Sequence, residues 1–242
     1  MTRFERITQN FFQRFGILVR KYNAGTSESL RRVKLLQKYD VDMLLDVGAN
    51  TGQYTQSLFD NGYRGKVVSF EPLTSAHNKL TTTASGNSRW TVAPRCAVGA
   101  SNGKTTIHIS ENSVSSSLLN MLDSHLDGAQ ESKIIGTEEV AVLTLDSMTE
   151  LYQPGSKNIF LKIDVQGYEK PVLQGAEKLF PTLRGIEIEM SIVPLYENQQ
   201  WLFEQILHDM HAAGFQLMSL SPAFTDLSTG QQLQLNGIFI KP

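Results

Sequence analysis

Leu44-Leu45-Asp46-Val47-Gly48-Ala49-Asn50-Thr51-Gly52-Gln53-Tyr54 is the stretch that decides the fold of this chain. A short apolar run ends on an acid, passes through small residues and resumes with helical spacing towards Leu58. This order predicts a strand, a tight turn and a helix. Glycine permits positive φ angles and close approach of a ligand, and asparagine tolerates left-handed φ better than most residues. The first amides of the helix add free donors, so the stretch predicts a ligand-binding turn.

Length and composition indicate one large domain with an extension. The chain has 242 residues, of which 40% are hydrophobic and 19% are charged, as is ordinary for a globular protein. The net charge of -2 gives no electrostatic reason to expect nucleic acid as a partner. The single cysteine, Cys96, excludes an intrachain disulfide and fits a reducing compartment, so we predict a cytoplasmic protein. We also predict no integral membrane segment, because no apolar stretch has the necessary length.

Residues 1–40 predict a helical extension ahead of the main domain, residues 41–242. Apolar residues recur at steps of three and four from Phe4 to Tyr22, which predicts one amphipathic helix over that range. We expect its apolar stripe to pack on the main domain. Contact with a membrane surface or self-association through this helix is the alternative. A second helix is predicted over residues 29–39.

Two further apolar runs end on an acid in the same manner. Residues 66–70 precede Glu71, and residues 159–163 precede Asp164. Helical patterns separate these runs, and strands that alternate with helices predict an α/β fold: a mostly parallel sheet with helices on both faces. Ligands of such sheets bind beyond the carboxyl ends of the strands. We therefore expect Asp46, Glu71 and Asp164 along one edge.

The middle of the chain departs from this alternation. Asn102-Gly103 is a dipeptide favoured in two-residue turns, and it predicts a hairpin between a third strand region, residues 90–98, and a strand over residues 104–109. The polar segment 110–139 predicts a long active-site loop with a short helix. Its serine cluster, residues 113–117, has a position from which it would close over an acceptor, although a merely flexible loop explains the cluster equally well.

The turn after the first strand narrows the choice of cofactor. It contains no lysine to meet a phosphate, and Asn50 and Gln53 replace two glycines of the dinucleotide fingerprint. Asp46 would repel a pyrophosphate but would suit a ligand that carries an ammonium group and a sulfonium cation, such as S-adenosylmethionine. Glu71 can accept hydrogen bonds from a ribose diol, which serves any adenosine cofactor. An NAD-dependent oxidoreductase therefore remains an alternative.

The motifs of the chain resemble those of the FkbM family of methyltransferases. The resemblance covers about residues 44–190, and its motifs are Leu45–Thr55, Phe70-Glu71-Pro72, Ala97-Val98-Gly99, Leu161–Glu169 and Val172–Ala176. It implies a class I methyltransferase fold, which is Rossmann-like, with a seven-stranded sheet whose last strand is antiparallel. It also implies methyl transfer from S-adenosyl-L-methionine to an oxygen, often a sugar hydroxyl. The expected acceptor is a small molecule or glycan, either a carbohydrate or a polyketide-like compound.

The predicted site has a cofactor side and an acceptor side. For the acceptor hydroxyl, Asp164 and Glu189 are the candidate bases, unranked, and Asp164 is also a candidate partner for the methionine ammonium group. Tyr54 suits packing and cofactor contact equally. We predict Ser115, Ser116 and Gln166 as substrate-binding residues. The predicted cofactor-binding residues are Asp46, Gly48, Asn50, Gly52, Tyr54, Glu71, Cys96, Ala97 and Asp164.

Two features of the site keep alternatives open. The family usually carries glutamate where this chain has Gln166, and this departure supports the alternative of a cofactor-binding or scaffold protein that transfers no methyl group. We predict no metal, although a divalent ion between Asp164 and Glu189 is a further alternative. Glu187 alternates with apolar neighbours, and a solvated strand face explains it as well as a role in the site.

Overall fold

A computed structural model describes residues 3–152, 156–199 and 201–242 of the chain. The described residues form eight helices and ten strands, with two short 3-10 turns at Gln130–Ser132 and Phe180–Thr182. The helices are α1 (Arg3–Gln13), α2 (Glu28–Lys38), α3 (Gln53–Asp60), α4 (Thr74–Ala84), α5 (Asp123–Gly128), α6 (Leu145–Tyr152), α7 (Glu169–Gln174) and α8 (Phe203–Ala212). The strands are β1 (Met43–Val47), β2 (Lys66–Phe70), β3 (Trp90–Val92), β4 (Ala97–Val98), β5 (Gly103–Ser110), β6 (Ile134–Leu143), β7 (Ile159–Ile163), β8 (Leu183–Ser191), β9 (Gln216–Thr225) and β10 (Gln232–Ile240).

Seven strands form the main sheet in the order β3-β2-β1-β7-β8-β10-β9. Neighbouring strands from β3 to β8 pair in parallel, whereas β10 runs antiparallel to both β8 and β9. This arrangement confirms the predicted seven-stranded sheet with an antiparallel last strand. The chain order reverses between β1 and β7, and ligands of open α/β sheets bind at such a point.

Two hydrophobic cores hold the sheet, one on each face. Strands β1 and β7 are buried along their whole length. Successive side chains of a strand point to opposite faces, so Leu45 and Leu161 enter one core while Leu44 and Phe160 enter the other. A strand that is apolar on both sides is typical of a parallel sheet covered by helices, as the uninterrupted apolar runs predicted.

A second sheet of three strands, in the order β4-β6-β5, lies beside the main one. Strand β5 pairs antiparallel with β6 and does not pair with β4, so the predicted hairpin at Asn102-Gly103 was wrong. The reason is visible in the contacts of Asn102, whose Oδ1 accepts hydrogen bonds from the Thr144 amide at 2.8 Å and from the Ser147 hydroxyl at 3.3 Å. Asn102 therefore ties the start of β5 to the end of β6.

The two N-terminal helices differ in how they contact the domain. The predicted second helix is α2, and it buries Val33 and Leu36 in the core. Helix α1 ends at Gln13, well before Tyr22, because Gly16 adopts φ +70° and the Ile17 amide bonds back to the Phe12 carbonyl at 3.0 Å. The single helix predicted up to Tyr22 is thus too long.

The expected packing of the α1 stripe on the domain is also wrong, since Phe11 is 57% exposed and Phe15 is 67% exposed. The domain boundary at residue 40 stays a prediction, although α2 contributes to the same core as the sheet. None of the described helices is long and apolar enough to cross a membrane.

Candidate functional site

A cavity opens at the carboxyl ends of β1, β2 and β7, at the point where the strand order reverses. Six of the predicted cofactor residues line the cavity: Gly48, Asn50, Glu71, Cys96, Ala97 and Asp164.

The turn after β1 forms the floor of the cavity. Gly48 has φ +76°, and a Cβ atom there would lie 1.8 Å from the Asp164 carbonyl oxygen, so only glycine fits between β1 and β7. Asn50 has φ +48°, which confirms the predicted left-handed turn. The backbone N–H of Asn50 donates a hydrogen bond of 2.7 Å to Glu71 Oε2. The turn therefore fixes the position of the Glu71 carboxylate.

Glu71 presents a buried carboxylate to the cavity. Its second oxygen, Oε1, accepts a hydrogen bond of 2.9 Å from the Leu73 amide. Burial raises the pKa of Glu71 to about 7. Each carboxylate oxygen has two lone pairs, so both oxygens can still accept from a ligand. Cys96 and Ala97 line the cavity beside it with small apolar side chains.

Asp46 lies beneath the cavity and is not one of the described residues that line it. Its side chain is fully buried, and Oδ2 accepts a hydrogen bond of 2.8 Å from the Thr55 hydroxyl. Its other oxygen lies 3.1 Å from Lys162 Nζ. The charge of Asp46 is thus matched by a lysine of the neighbouring strand. The structure does not place it where the predicted contact with a ligand ammonium group would need it.

Asp46 is part of a line of buried charges that we call the charged row: Asp46, Lys162, Glu187 and Arg32. The strand register sets Asp46 beside Lys162 and Lys162 beside Glu187. Arg32, from α2, closes the row with hydrogen bonds of 2.7 and 2.5 Å to the two oxygens of Glu187. Because Glu187 is 3% exposed, the interpretation of this residue as solvated surface was wrong.

A second polar group, which we call the carboxyl cluster, comprises Asp164, Gln166 and Glu189. Gln166 has φ +55°, and its Nε2 donates hydrogen bonds of 2.7 Å to Asp164 Oδ1 and 2.6 Å to Glu189 Oε2. Its Oε1 accepts a hydrogen bond of 2.7 Å from the hydroxyl of Tyr196. The amide therefore occupies the space between the two acids and joins them without a charge of its own.

The two acids of the carboxyl cluster face different surroundings. Asp164 lines the cavity, and its side chain is 36% exposed. Glu189 does not line it and also accepts a hydrogen bond of 2.9 Å from Gln234. Burial raises the pKa of Glu189 well above its ordinary range, and the charges of Asp164 and Glu169 raise it further. Of the described lining residues, only Glu71 and Asp164 are acids.

Comparison with known proteins assigns the family. The sequence profile of the family described as "Methyltransferase FkbM domain" matches residues 46–217, more than two thirds of the chain. The chain belongs to the FkbM methyltransferase family. It is therefore a methyltransferase that uses S-adenosyl-L-methionine (EC 2.1.1.-), and this assignment sets aside the alternative of an NAD-dependent oxidoreductase.

Solved structures of several methyltransferases are similar to this FkbM methyltransferase at low sequence identity. An rRNA methylase from Streptococcus thermophilus is 12% identical with a TM-score of 0.45, over 87% of this chain and 94% of its own. TehB from Haemophilus influenzae is 9% identical with a TM-score of 0.47, over 88% of this chain and 62% of its own. Fibrillarin from Aeropyrum pernix, with natively bound S-adenosyl-L-methionine, is 10% identical with a TM-score of 0.43, over 83% of this chain and 66% of its own. No protein of curated function matches the sequence.

The chemistry of the cavity wall fits S-adenosyl-L-methionine. A diol suits the buried carboxylate of Glu71, and a planar base suits the apolar wall at Cys96 and Ala97. No lysine or arginine, the side chains that most often pair with phosphate groups, occurs among the described residues that line the cavity.

The other predicted residues of the FkbM methyltransferase lie at differing distances from the cavity. Gln166 and Ser116 line it, but Ser115 faces away and bonds to the Ser132 hydroxyl at 2.9 Å. The Tyr54 hydroxyl donates to Glu187 Oε2 at 2.7 Å, beneath the cavity. A Cβ atom at Gly52 would lie 2.7 Å from the Trp90 ring, so this glycine allows packing and does not line the cavity.

Several functional neighbours were absent from the sequence-based prediction. These are Lys162, which belongs to the charged row, and Tyr196, which bonds to Gln166 of the carboxyl cluster. Lys162 carried a usable signal, because a lysine in the middle of an apolar strand must find a buried acid on a neighbouring strand. Tyr196 carried none, since it lies in a loop far along the chain from Gln166.

Proposed function

We propose that this FkbM methyltransferase methylates a hydroxyl oxygen of a small-molecule or glycan acceptor, either a carbohydrate or a polyketide-like compound. The observation that carries the proposal is the position of Asp164. Its carboxylate stands on the cavity wall and is held there by the amide of Gln166. An acid so placed can accept the hydrogen of a hydroxyl group, which makes the oxygen a better nucleophile.

In this proposal the strand side of the cavity holds the cofactor. Glu71 would accept hydrogen bonds from the ribose hydroxyls, and Cys96 and Ala97 would flank the adenine. Gly48 would allow the ligand to approach the backbone of the turn, because glycine has no side chain there. When bound, S-adenosyl-L-methionine supplies an electrophilic methyl group. The residues of the chain contribute by orienting the reactants, which can supply roughly 7 to 11 kcal/mol of the barrier at best.

We assign the role of base to Asp164 and a positioning role to Glu189. Asp164 reaches the wall, whereas Glu189 lies behind Gln166 and accepts two amide hydrogen bonds. Those bonds keep the Gln166 side chain directed at Asp164. Gln166 thus retains a use in catalysis without the negative charge of a glutamate, which favours an active enzyme over a scaffold protein.

The acceptor side of the cavity suits a neutral, hydroxyl-rich compound. The serine loop contributes the side chains of Ser113, Ser116 and Ser117 to the wall. The Ser117 hydroxyl donates 2.7 Å to the Gln166 carbonyl, so the loop and the carboxyl cluster form one surface. The described lining residues include no cation for a phosphate, and this favours sugars over nucleic acid.

We propose that the enzyme acts in the cytoplasm. The sequence has a single cysteine, the buried Cys96, so it can form no intrachain disulfide, which fits a reducing compartment. Burial raises the pKa of its thiol to about 11, which keeps it protonated and unreactive.

A panel of acceptors tests the proposal. The enzyme is incubated with S-adenosyl-L-methionine and sugars, nucleotide sugars, glycans or polyketides, and methylated products are identified by mass spectrometry. With a product in hand, Asp164→Asn should lower kcat by about 10² to 10⁴ and leave the Kd for S-adenosyl-L-methionine within about threefold. Asp226→Asn, at an exposed turn, is the matched control and should leave both values unchanged.

Two outcomes would contradict these assignments. A Kd that rises tenfold in Asp164→Asn while kcat is retained would make Asp164 the partner of the ammonium group. Methylation at nitrogen or sulfur only, across the same panel, would refute O-methylation. Glu189→Gln should lower kcat less than Asp164→Asn does, since Glu189 acts through Gln166.

A further inference from the structure

Helix α1 and the segment after it carry apolar side chains on the outside of the molecule. Ile7, Phe11 and Phe15 recur at four-residue steps and are 59%, 57% and 67% exposed. Thr8 and Gln9, which are polar, are less exposed than this stripe. After the helix ends, Ile17 and Leu18 are also more than half exposed. A folded protein gains nothing from this arrangement in water, because the apolar stripe faces the solvent.

The same segment is strongly basic. Residues 3–22 contain five basic residues and one acid, Glu5, which gives a net charge of +4, whereas the whole chain has -2. The rest of the chain therefore carries -6. The basic residues are Arg3, Arg6, Arg14, Arg20 and Lys21. Positive charge is thus concentrated where the apolar side chains are exposed.

We propose that residues 3–22 bind the surface of an anionic lipid membrane, with helix α1 lying in the plane of the interface. Helices that combine a stripe of phenylalanine and aliphatic residues with basic residues insert their apolar face just below the head groups. Each arginine or lysine near the surface adds attraction to acidic lipids. The apolar stripe and the basic residues of this segment supply both contributions.

A second copy of this chain is a poorer partner for the segment. In a two-fold symmetric dimer the same patch meets itself. Two segments of charge +4 would then face each other, and like charges brought together across an interface oppose association. An anionic lipid surface covers the same apolar stripe and neutralises the charge.

The attachment point of the segment leaves the cavity accessible. The Tyr22 hydroxyl donates a hydrogen bond to the Asn61 side chain, just after the end of α3. Helix α3 starts at the cavity turn and runs away from it, so Asn61 lies at the far end. Binding of residues 3–22 to a membrane would therefore leave the mouth of the cavity open to acceptors from the aqueous side.

Co-sedimentation of the full chain with lipid vesicles tests the proposal. We expect binding to vesicles of phosphatidylcholine mixed with phosphatidylglycerol, and at least tenfold weaker binding to pure phosphatidylcholine or at high salt. Phe11→Ser/Phe15→Ser should lower binding by about a hundredfold, because two phenylalanine side chains no longer enter the bilayer. Arg14→Gln/Arg20→Gln should lower it by about thirtyfold.

The matched control removes two exposed apolar side chains elsewhere. Ile135 is 64% exposed and Leu227 is 92% exposed, and Ile135→Ser/Leu227→Ser should bind vesicles as the wild type does. Calorimetric titration with S-adenosyl-L-methionine confirms that each variant is folded, independently of lipid binding. The proposal is overturned if neither vesicle binds the wild type, if the control loses binding equally, or if ultracentrifugation finds a dimer that Phe11→Ser/Phe15→Ser dissociates.

Discussion

The charged row and the carboxyl cluster are adjacent, yet they compensate their acids by different means. Lys162 and Asp164 are two positions apart at the end of β7, and Glu187 and Glu189 are two positions apart on β8. In the row, Lys162 and Arg32 pair directly with Asp46 and Glu187. Two positions further along the chain, the neutral amide of Gln166 joins Asp164 and Glu189, and Asp164 also lies 3.6 Å from Lys162 Nζ. The two cations of the row balance its two acids, whereas the Gln166 amide adds no positive charge to the two acids of the cluster.

This difference separates stability from chemistry. A buried acid that is paired with a cation is held in place and has no proton to exchange with a ligand. An acid that meets only amides keeps a raised pKa and stays available, as Glu189 and Glu71 do. We therefore expect substitutions in the row to change folding most and substitutions around the cavity to change binding and turnover.

The largest effect should follow from Lys162→Met. The variant leaves Asp46 buried without its cation and removes a hydrogen bond of 2.8 Å to the Gly48 carbonyl. We expect the free energy of unfolding in urea to fall by about 3 to 5 kcal/mol. Lys104→Met is the matched control: Lys104 pairs with Glu139 at 3.0 Å on the surface and should cost less than about 1 kcal/mol. Equal losses in the two variants would mean that the row does not hold the sheet.

A smaller loss of folding stability should follow from Gln166→Glu, which makes all three members of the carboxyl cluster acids. The substitution removes the two donated hydrogen bonds and sets a third carboxylate between Asp164 and Glu189. We expect the free energy of unfolding in urea to fall by about 2 kcal/mol at mildly alkaline pH. It should fall by less under acid conditions, where protonated carboxyl groups again provide hydrogen-bond donors. Gln205→Glu is the control, since Gln205 is exposed and its side-chain amide donates a hydrogen bond to a single acid, Asp209. Equal losses at both pH values would show that Gln166 does not bridge the acids.

Substitution of Glu71 should affect binding more than folding. In calorimetric titrations, Glu71→Ala should weaken S-adenosyl-L-methionine binding at least tenfold, about 1.4 kcal/mol, because the ribose loses its acceptor. Glu138→Ala is the control: Glu138 accepts hydrogen bonds from the amide and hydroxyl of Thr74 nearby, but it does not line the cavity. An unchanged affinity in Glu71→Ala would place the ribose elsewhere.

The sequence was sufficient to predict the fold and one side of the cavity. Apolar runs that end on acids predicted β1, β2 and β7, and Gly48 and Asn50 predicted the turn between strand and helix. These features depend on local spacing, which the sequence displays directly. Asp46 and Glu71 nevertheless look alike in the sequence, since each ends an apolar run.

What separates these two acids is a partner from a distant part of the chain. Lys162, from β7, lies beside Asp46 across the sheet, while Glu71 meets only backbone amides. The strand register decides this pairing, and a sequence without its register cannot show it. The acceptor side was less predictable for the same reason, because Tyr196 reaches Gln166 from a loop thirty positions away.

The smallest predicted effect is a pH dependence of cofactor binding. Because the pKa of Glu71 is raised to about 7, its carboxyl gains a proton below that value and loses acceptors for the ribose hydroxyls. Affinity for S-adenosyl-L-methionine should therefore fall as the pH drops below about 7, by at most tenfold per pH unit. Glu71→Gln should bind weakly without this slope. In the absence of ligand, the pH dependence of folding stability has the opposite sign. The pKa of Glu71 is about 7 in the folded protein and 4.5 in the unfolded chain, so the free energy of unfolding falls as the pH rises from about 4.5 through about 7. Glu169, whose pKa burial also raises to about 7, shares the second effect but does not line the cavity. A pH slope in affinity that persists in Glu71→Gln would assign it to another group.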